Sequence, residues 1–174
     1  MEEKNAEQGR DGRVWKALLR LAIKIGAVCA VAALLLHFVF GIFAVHTNDM
    51  YPAVRDGDLC ITYRLSAYGY DQIIAYHHQG RTYFGRVVGL PGDVIDMDEE
   101  GNYTVNGNAP FETVYYETKS VQGSPVNYPY TVGEDELFVL CDLRDNGADS
   151  RSFGGIKTGD TDGGIVLLLR RRSW

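Results

Sequence analysis

The hydrophobic pattern divides the chain at one place. Residues 25–45 are apolar for 21 positions, broken only by His37, long enough to cross a hydrocarbon core of about 30 Å as a helix. Beyond residue 46 helical spacing largely disappears, and short apolar runs bounded by turn residues replace it. Residues 59–63, 73–76 and 82–89 read as strands, the last stopping at the breakers Leu90-Pro91-Gly92-Asp93. Tyr103-Thr104-Val105 runs into Asn106-Gly107, a dipeptide that supplies the positive φ angles of a tight hairpin. Residues 137–140 and 163–169 read as buried strands, whereas 110–131, with Pro110, Pro125 and Pro129, predict a loop-rich flap. Residues 1–16 are polar, lack the spacing that buries a face, and predict a flexible tail. Three regions follow: a cytoplasmic tail over 1–24, a transmembrane helix over 25–45, and a mostly β domain over 46–174.

Composition supports this division. The 174 residues leave room for one anchor and one single-core domain, and eleven tyrosines, seven phenylalanines and twenty glycines suit a β fold with many turns. The net charge of -6 is uneven: residues 1–24 carry six Lys/Arg against four Asp/Glu, the remainder eleven against nineteen. Arg10, Arg13, Lys16, Arg20 and Lys24 precede the span, and Asp49, Asp56 and Asp58 follow it, so positive-inside bias places the N-terminus in the cytoplasm and 46–174 outside. An acidic outer domain argues against nucleic acid as partner. The span ends Phe43-Ala44-Val45-His46 without an Ala-x-Ala site, the pattern of an anchor rather than a removable signal peptide, and His37 reads as a tolerated neutral imidazole. Cys60 and Cys141 read as two buried thiols, His77-His78 as part of a turn, and Arg170-Arg171-Arg172 as solvated charge. No zinc spacing is present, and no metal or cofactor is expected.

Three segments carry chemistry. Thr47-Asn48-Asp49-Met50-Tyr51-Pro52, followed by Gly57-Asp58, resembles the Ser-Met-x-Pro turn of type I signal peptidases, with Asp49 at the position of the nucleophilic serine. The run 84–93, Phe-Gly-Arg-Val-Val-Gly-Leu-Pro-Gly-Asp, resembles the strand that holds the family's catalytic lysine one residue before an arginine; here the pair reads Gly85-Arg86. Residues 141–154 resemble the family's Gly-Asp-Asn-Arg-x-x-Ser-x-Asp-Ser-Arg-x-x-Gly segment, with Gly147 where a serine steadies the lysine. The resemblance covers 45–169. It implies an antiparallel β ectodomain with a shallow groove close to the bilayer and a structural ion pair between Asp149 and Arg151. It also implies a peptide- or partner-binding surface built from Thr47, Asn48, Asp49, Met50, Pro52, Gly85, Arg86 and Gly147.

A serine hydroxyl becomes a nucleophile only when a neighbouring base removes its proton, and a lysine serves as that base only when desolvated and oriented. Asp49, Gly85 and Gly147 replace nucleophile, base and orienter, so the expectation is a chain without Ser/Lys acyl transfer and not an enzyme. Asp49 reads as a carboxylate held by the backbone amides that once served an oxyanion. An aspartic mechanism would need a second carboxylate, from Asp142 or Asp149. Aspartate and glycine at these positions resemble the accessory proteins encoded with pilins and sortases in Gram-positive bacteria. The expected role is a membrane-anchored chaperone or scaffold in pilus assembly that binds a pilin, a sortase or a signal-peptide segment by strand addition. The alternatives are a membrane-bound peptidase using Asp49, or an anchored surface protein that keeps only the fold.

Overall fold

A computed structural model describes residues 2–110, 117–145 and 148–170, with side chains from Val14 onward. Gly147 therefore lies outside the described residues, as do Arg171 and Arg172. Residues Met1–Phe38 and Val39–Trp174 form two compact units.

The first unit is helical. Helix α1 spans Glu2–Val39, so the segment expected to be an irregular tail is helical from Glu2. Its residues include strong helix formers, and no proline precedes Pro52 to stop propagation from the apolar part. The window apolar enough to cross a membrane is Val14–Val39, 26 residues. Within it Trp15, Leu18, Ile23, Val28, Leu35 and Phe38 are all exposed, the apolar surface that lipid covers.

The helix stops before the apolar run does. Strand β1 occupies Phe40–Ala44, so the expected 25–45 helix loses its last residues to the sheet. Here β1 pairs antiparallel with β2 (Leu59–Tyr63), from Phe40 opposite Tyr63 to Ala44 opposite Leu59. Gly41 permits the approach, since a Cβ there would lie 2.5 Å from Thr62 Oγ1. Apolarity alone did not separate membrane helix from edge strand.

The remaining strands are β3 (Ile73–His78), β4 (Arg81–Gly89), β5 (Val94–Met97), β6 (Tyr103–Val105), β7 (Tyr130–Thr131), β8 (Glu136–Leu140), β9 (Ile156–Lys157) and β10 (Thr161–Leu169). A one-turn helix α2, Ser150–Phe153, precedes β9. Among the described residues, one sheet runs β1-β2-β10-β3-β4-β8-β9 and a smaller one β6-β5-β7, with every pairing antiparallel. This is the mostly β architecture that the apolar pattern predicts, with the antiparallel sheets that the resemblance implies. Ile95, Phe138 and Leu140 pack between the two sheets, while Val45, Met50, Cys60, Phe84 and Cys141 form a second cluster. A third joins Tyr76, Val87, Val139 and Ile156.

Several local expectations change. Asn106 and Gly107 adopt positive φ, yet the chain beyond them closes only a single bridge between Val105 and Asn108. His77 and His78 belong to β3, and the turn is Gln79-Gly80, with φ of 48° and 76°. Arg170 is not simply solvated: its guanidinium donates to buried Asp58 and to the carbonyl of Ala53. The reading of Cys60 and Cys141 does not change: both are buried free thiols. Burial, aided by Asp58, pushes the Cys60 thiol up to about 11.

Candidate peptide groove and the Asp49 segment

The turn leading into the β domain is stitched by its own backbone. Val45 N donates to Asp58 O and Gly57 N to Val45 O, each at 2.9 Å, so Gly57-Asp58 returns the chain beside its starting point. Asn48 uses its side-chain oxygen to accept from Asp56 N at 3.0 Å, and Asp58 accepts from Arg55 N at 3.0 Å. Met50 turns inward at 2% exposure, with its sulfur 3.3 Å from the amide of Asp142, while Pro52 stays on the surface. Met50 thus anchors the turn to the core; it offers no surface to a partner, because an apolar side chain at this bend gains more from burial. The carbonyl of Asp49 accepts from Leu143 N at 2.8 Å, which ties the turn to the segment after β8.

Two arginines hold that segment. Arg86 makes a two-pronged pair with Asp142, at 2.8 and 2.7 Å, and reaches Asp71 at 2.8 Å. Arg151 does the same with Asp149, Nε to Oδ1 at 2.9 Å and Nη2 to Oδ2 at 2.9 Å, and donates to the carbonyl of Arg144 at 2.7 Å. Asp149 is wholly buried and also accepts from the amides of Cys141 and Arg151 at 3.0 Å. Bidentate pairs of this kind fix orientation as well as charge. Arg86 is therefore a brace within the domain and not a partner-binding side chain.

The positions that stand for nucleophile and base look different. Asp49 is half-buried, and its carboxylate has no hydrogen bond or ion pair among the described residues. The expected cradle of backbone amides is absent there, because the neighbouring amides are spent: Tyr51 N on Asn48 O and Leu143 N on the Asp49 carbonyl. Asp142 and Asp149 are each committed to an arginine, which leaves neither free to share a proton with Asp49. Gly85 is buried in β4, where an added Cβ would come 3.2 Å from both Tyr76 Cε1 and Val139 Cβ. Tyr76, fully buried beside that glycine, went unremarked in the sequence; its pairing with Tyr83 one strand away carries the signal. Burial, then Cys141, Asp149 and Asp49, raise the Tyr76 phenol. Cys141 is raised by burial first, then by Asp149 and Asp49.

A groove opens next to this site. Phe43, Ala44, His46, Thr47, Arg81, Thr82 and Phe84 line a cavity of about 370 Å³. The sheet curls until edge strand β1 approaches β4, and the rings of Phe43 and Phe84 meet edge to face at 6.2 Å. Strand β8 pairs with β4 at Arg86, Val87 and Gly89, so along 81–84 the backbone edge of β4 away from β3 is unpaired among the described residues. Of the sequence-assigned binding residues, Thr47 lines this groove, while Asn48, Asp49 and Pro52 sit on the adjoining turn. The phenylalanines were legible only as apolar positions.

A family description, signal peptidase, peptidase S26, matches residues 18–169. A signal peptidase I from Bacillus caldolyticus is 34% identical over 146 residues, covering 75% of this chain and 79% of that protein. One from Bacillus amyloliquefaciens is 28% identical over 154 residues, 82% of each chain, and signal peptidase IB of Staphylococcus aureus is 25% identical over 158 residues, 80% and 82%. A crystal structure of a signal peptidase I from Enterococcus faecalis, at 24% identity, superposes with a TM-score of 0.47 over 58% of this chain and 98% of that one. These relatives correct one expectation. Asp49 and Gly85 suggested a chain that is not an enzyme, but the proteins it matches are named signal peptidase I, which are enzymes, and nothing in the match shows this chain to be inactive. With an apolar helix as its membrane anchor and a β domain matched along nearly its whole length, the chain belongs to the signal peptidase I family, peptidase S26.

Proposed function

We propose that the protein captures an extended segment of an exported protein in the groove between Phe43–Thr47 and Arg81–Phe84, on the outer face of the membrane. The observation that carries this reading is the open backbone edge of β4 over 81–84, facing an apolar floor made by Phe43 and Phe84. An extended peptide placed there gains main-chain hydrogen bonds from the edge and buries alternate side chains on the phenylalanines, the physics of strand addition. The unengaged Asp49 carboxylate beside the groove suits an incoming N–H donor. The basic residues before the helix and the acidic ones after it support a cytoplasmic N-terminus and a single pass. In this reading the occupant is a signal-peptide segment, that of a pilin in the first instance, presented to a sortase, and the protein serves as chaperone or scaffold in pilus assembly.

The test uses the full chain in lipid nanodiscs with a fluorescent synthetic pilin signal peptide, followed by anisotropy. Ala44→Trp, which fills the groove from an exposed position, is expected to weaken binding at least about tenfold, the cost of about 1.4 kcal/mol of lost contact. Equal affinity for both forms would contradict the groove as the binding site.

A further inference from the structure

Thr82, on the groove wall, faces His77 across the β3–β4 pair, the two being direct register partners. Thr82 Oγ1 lies 3.2 Å from His77 Nδ1. The other ring nitrogen, Nε2, lies against Oδ2 of Asp162 on β10, a charge contact in which that buried oxygen accepts no aligned hydrogen bond. Asp162 is 8% exposed, and its second oxygen accepts from Arg64 Nε at 2.9 Å. The Phe43 ring stands 6.5 Å from the imidazole, centroid to centroid. Three adjacent strands thus bring a hydroxyl, an imidazole and a buried carboxylate into successive contact, and the hydroxyl ends at the groove. None of the three belongs to a segment that resembles the family's catalytic residues.

We infer that Thr82, His77 and Asp162 form a nucleophile–base–carboxylate relay that accepts an acyl group at the groove. The chemistry follows from the contacts. In the relay the proton of His77 sits on Nε2, the nitrogen that faces Asp162, which leaves the Nδ1 lone pair toward the Thr82 hydroxyl. Thr82 Oγ attacks an acyl carbon and forms a C–O bond, while its proton passes to His77 Nδ1. The bond from that carbon to its leaving group, an amine nitrogen or an alcohol oxygen, then breaks, and the leaving group takes the proton from His77. Water, deprotonated by His77 in turn, hydrolyses the threonine ester and restores the hydroxyl. Arg64 Nε, on the other carboxylate oxygen, holds Asp162 in place. Asp162 is a positioning residue, since it reaches the reacting atoms only through the imidazole. The substrate class is an acyl donor, ester or amide, carried by the extended segment that the proposed function places in the groove. The relay rests on that reading for its substrate, but not for its reactivity.

A small ester separates the two. The full chain in nanodiscs is treated with p-nitrophenyl acetate, nitrophenolate release is followed by absorbance, and the acetylated residue is mapped by mass spectrometry. A burst with the acetyl group on Thr82 is expected, kept by Thr82→Ser and abolished by Thr82→Val. His77 is half exposed, so His77→Gln leaves the fold intact and is expected to slow acylation by about 10²–10⁴-fold, the usual contribution of a general base. Asp162→Asn is expected to slow it less and to displace its pH profile, which a merely structural residue would not do. An acetyl group on another residue, no burst at all, or a rate unchanged in His77→Gln overturns the relay. The peptide-binding measurement is independent: binding retained without acylation sinks the relay alone, and acylation retained without peptide binding sinks the groove reading alone.

Discussion

Asp149 and Asp49 occupy the same neighbourhood, since both act electrostatically on Tyr76 and Cys141, yet they are held in opposite ways. Asp149 has no exposed surface and spends both oxygens on Arg151 and two amides. Asp49 is half-buried and spends neither among the described residues. The difference teaches where this scaffold puts its stability and where it leaves capacity for a ligand. Charges that brace the backbone are buried and paired, because an unpaired buried charge is expensive. A charge that meets a ligand stays partly hydrated until the ligand arrives.

The largest effect should come from breaking the braced side. Arg151→Ala strands Asp149 as a fully buried charge, and the expected loss is about 3–5 kcal/mol of unfolding free energy, read by denaturant titration. Arg86→Ala strands Asp142 in the same way and should cost a similar amount. If either change proves neutral, the paired charges do not hold the domain together.

Gly85→Lys comes next. Its Cβ must displace Tyr76 and Val139 by a few tenths of an ångström, and overpacking of this kind costs about 1–3 kcal/mol. Pairing it with Tyr76→Leu should return part of the loss, which sharpens the claim that the tyrosine and the glycine share one space. A fully additive pair in thermal melts would refute that claim.

The buried thiol gives a pH test. Cys60 titrates at about 11 in the folded domain, above its ordinary range, so as pH rises the unfolded chain ionises first and binds fewer protons. Its contribution to stability is therefore complete at neutral pH and is lost progressively from the ordinary thiol range up to about 11. Cys60→Ala should flatten that part of the stability profile relative to the parent, whatever its effect at pH 7.

Asp49→Ala should do least to the fold. With no partner to strand among the described residues, its effect on unfolding free energy should stay within about 0.5 kcal/mol, while affinity for the peptide falls. A large destabilisation would place Asp49 with the braced residues and erase the contrast.

How much of this could be read beforehand follows the same division. The strands over 59–63 and 82–89, and the residues of the Asp149–Arg151 pair, were legible because short apolar runs bounded by turn residues and a distinctive local segment mark them. Strand β1 was not, since five apolar residues continuing a membrane helix carry no mark of their own until β2 pairs with them. Strands β5, β7 and β9 are too short for periodicity to show. Arg86 and Met50 lie in segments that suggest a site, and only packing tells that they face inward. The contact of His77 with Asp162 joins residues far apart in the chain, and nothing local announces it.

The most direct test of the central claim is hydrogen–deuterium exchange on the full chain in nanodiscs, with and without the synthetic pilin signal peptide. The account predicts that the peptide slows exchange at the open amides within 81–84 and at His46 and Thr47, and leaves β9 unchanged. Binding that protects some other edge, or protects none, would contradict strand addition in this groove.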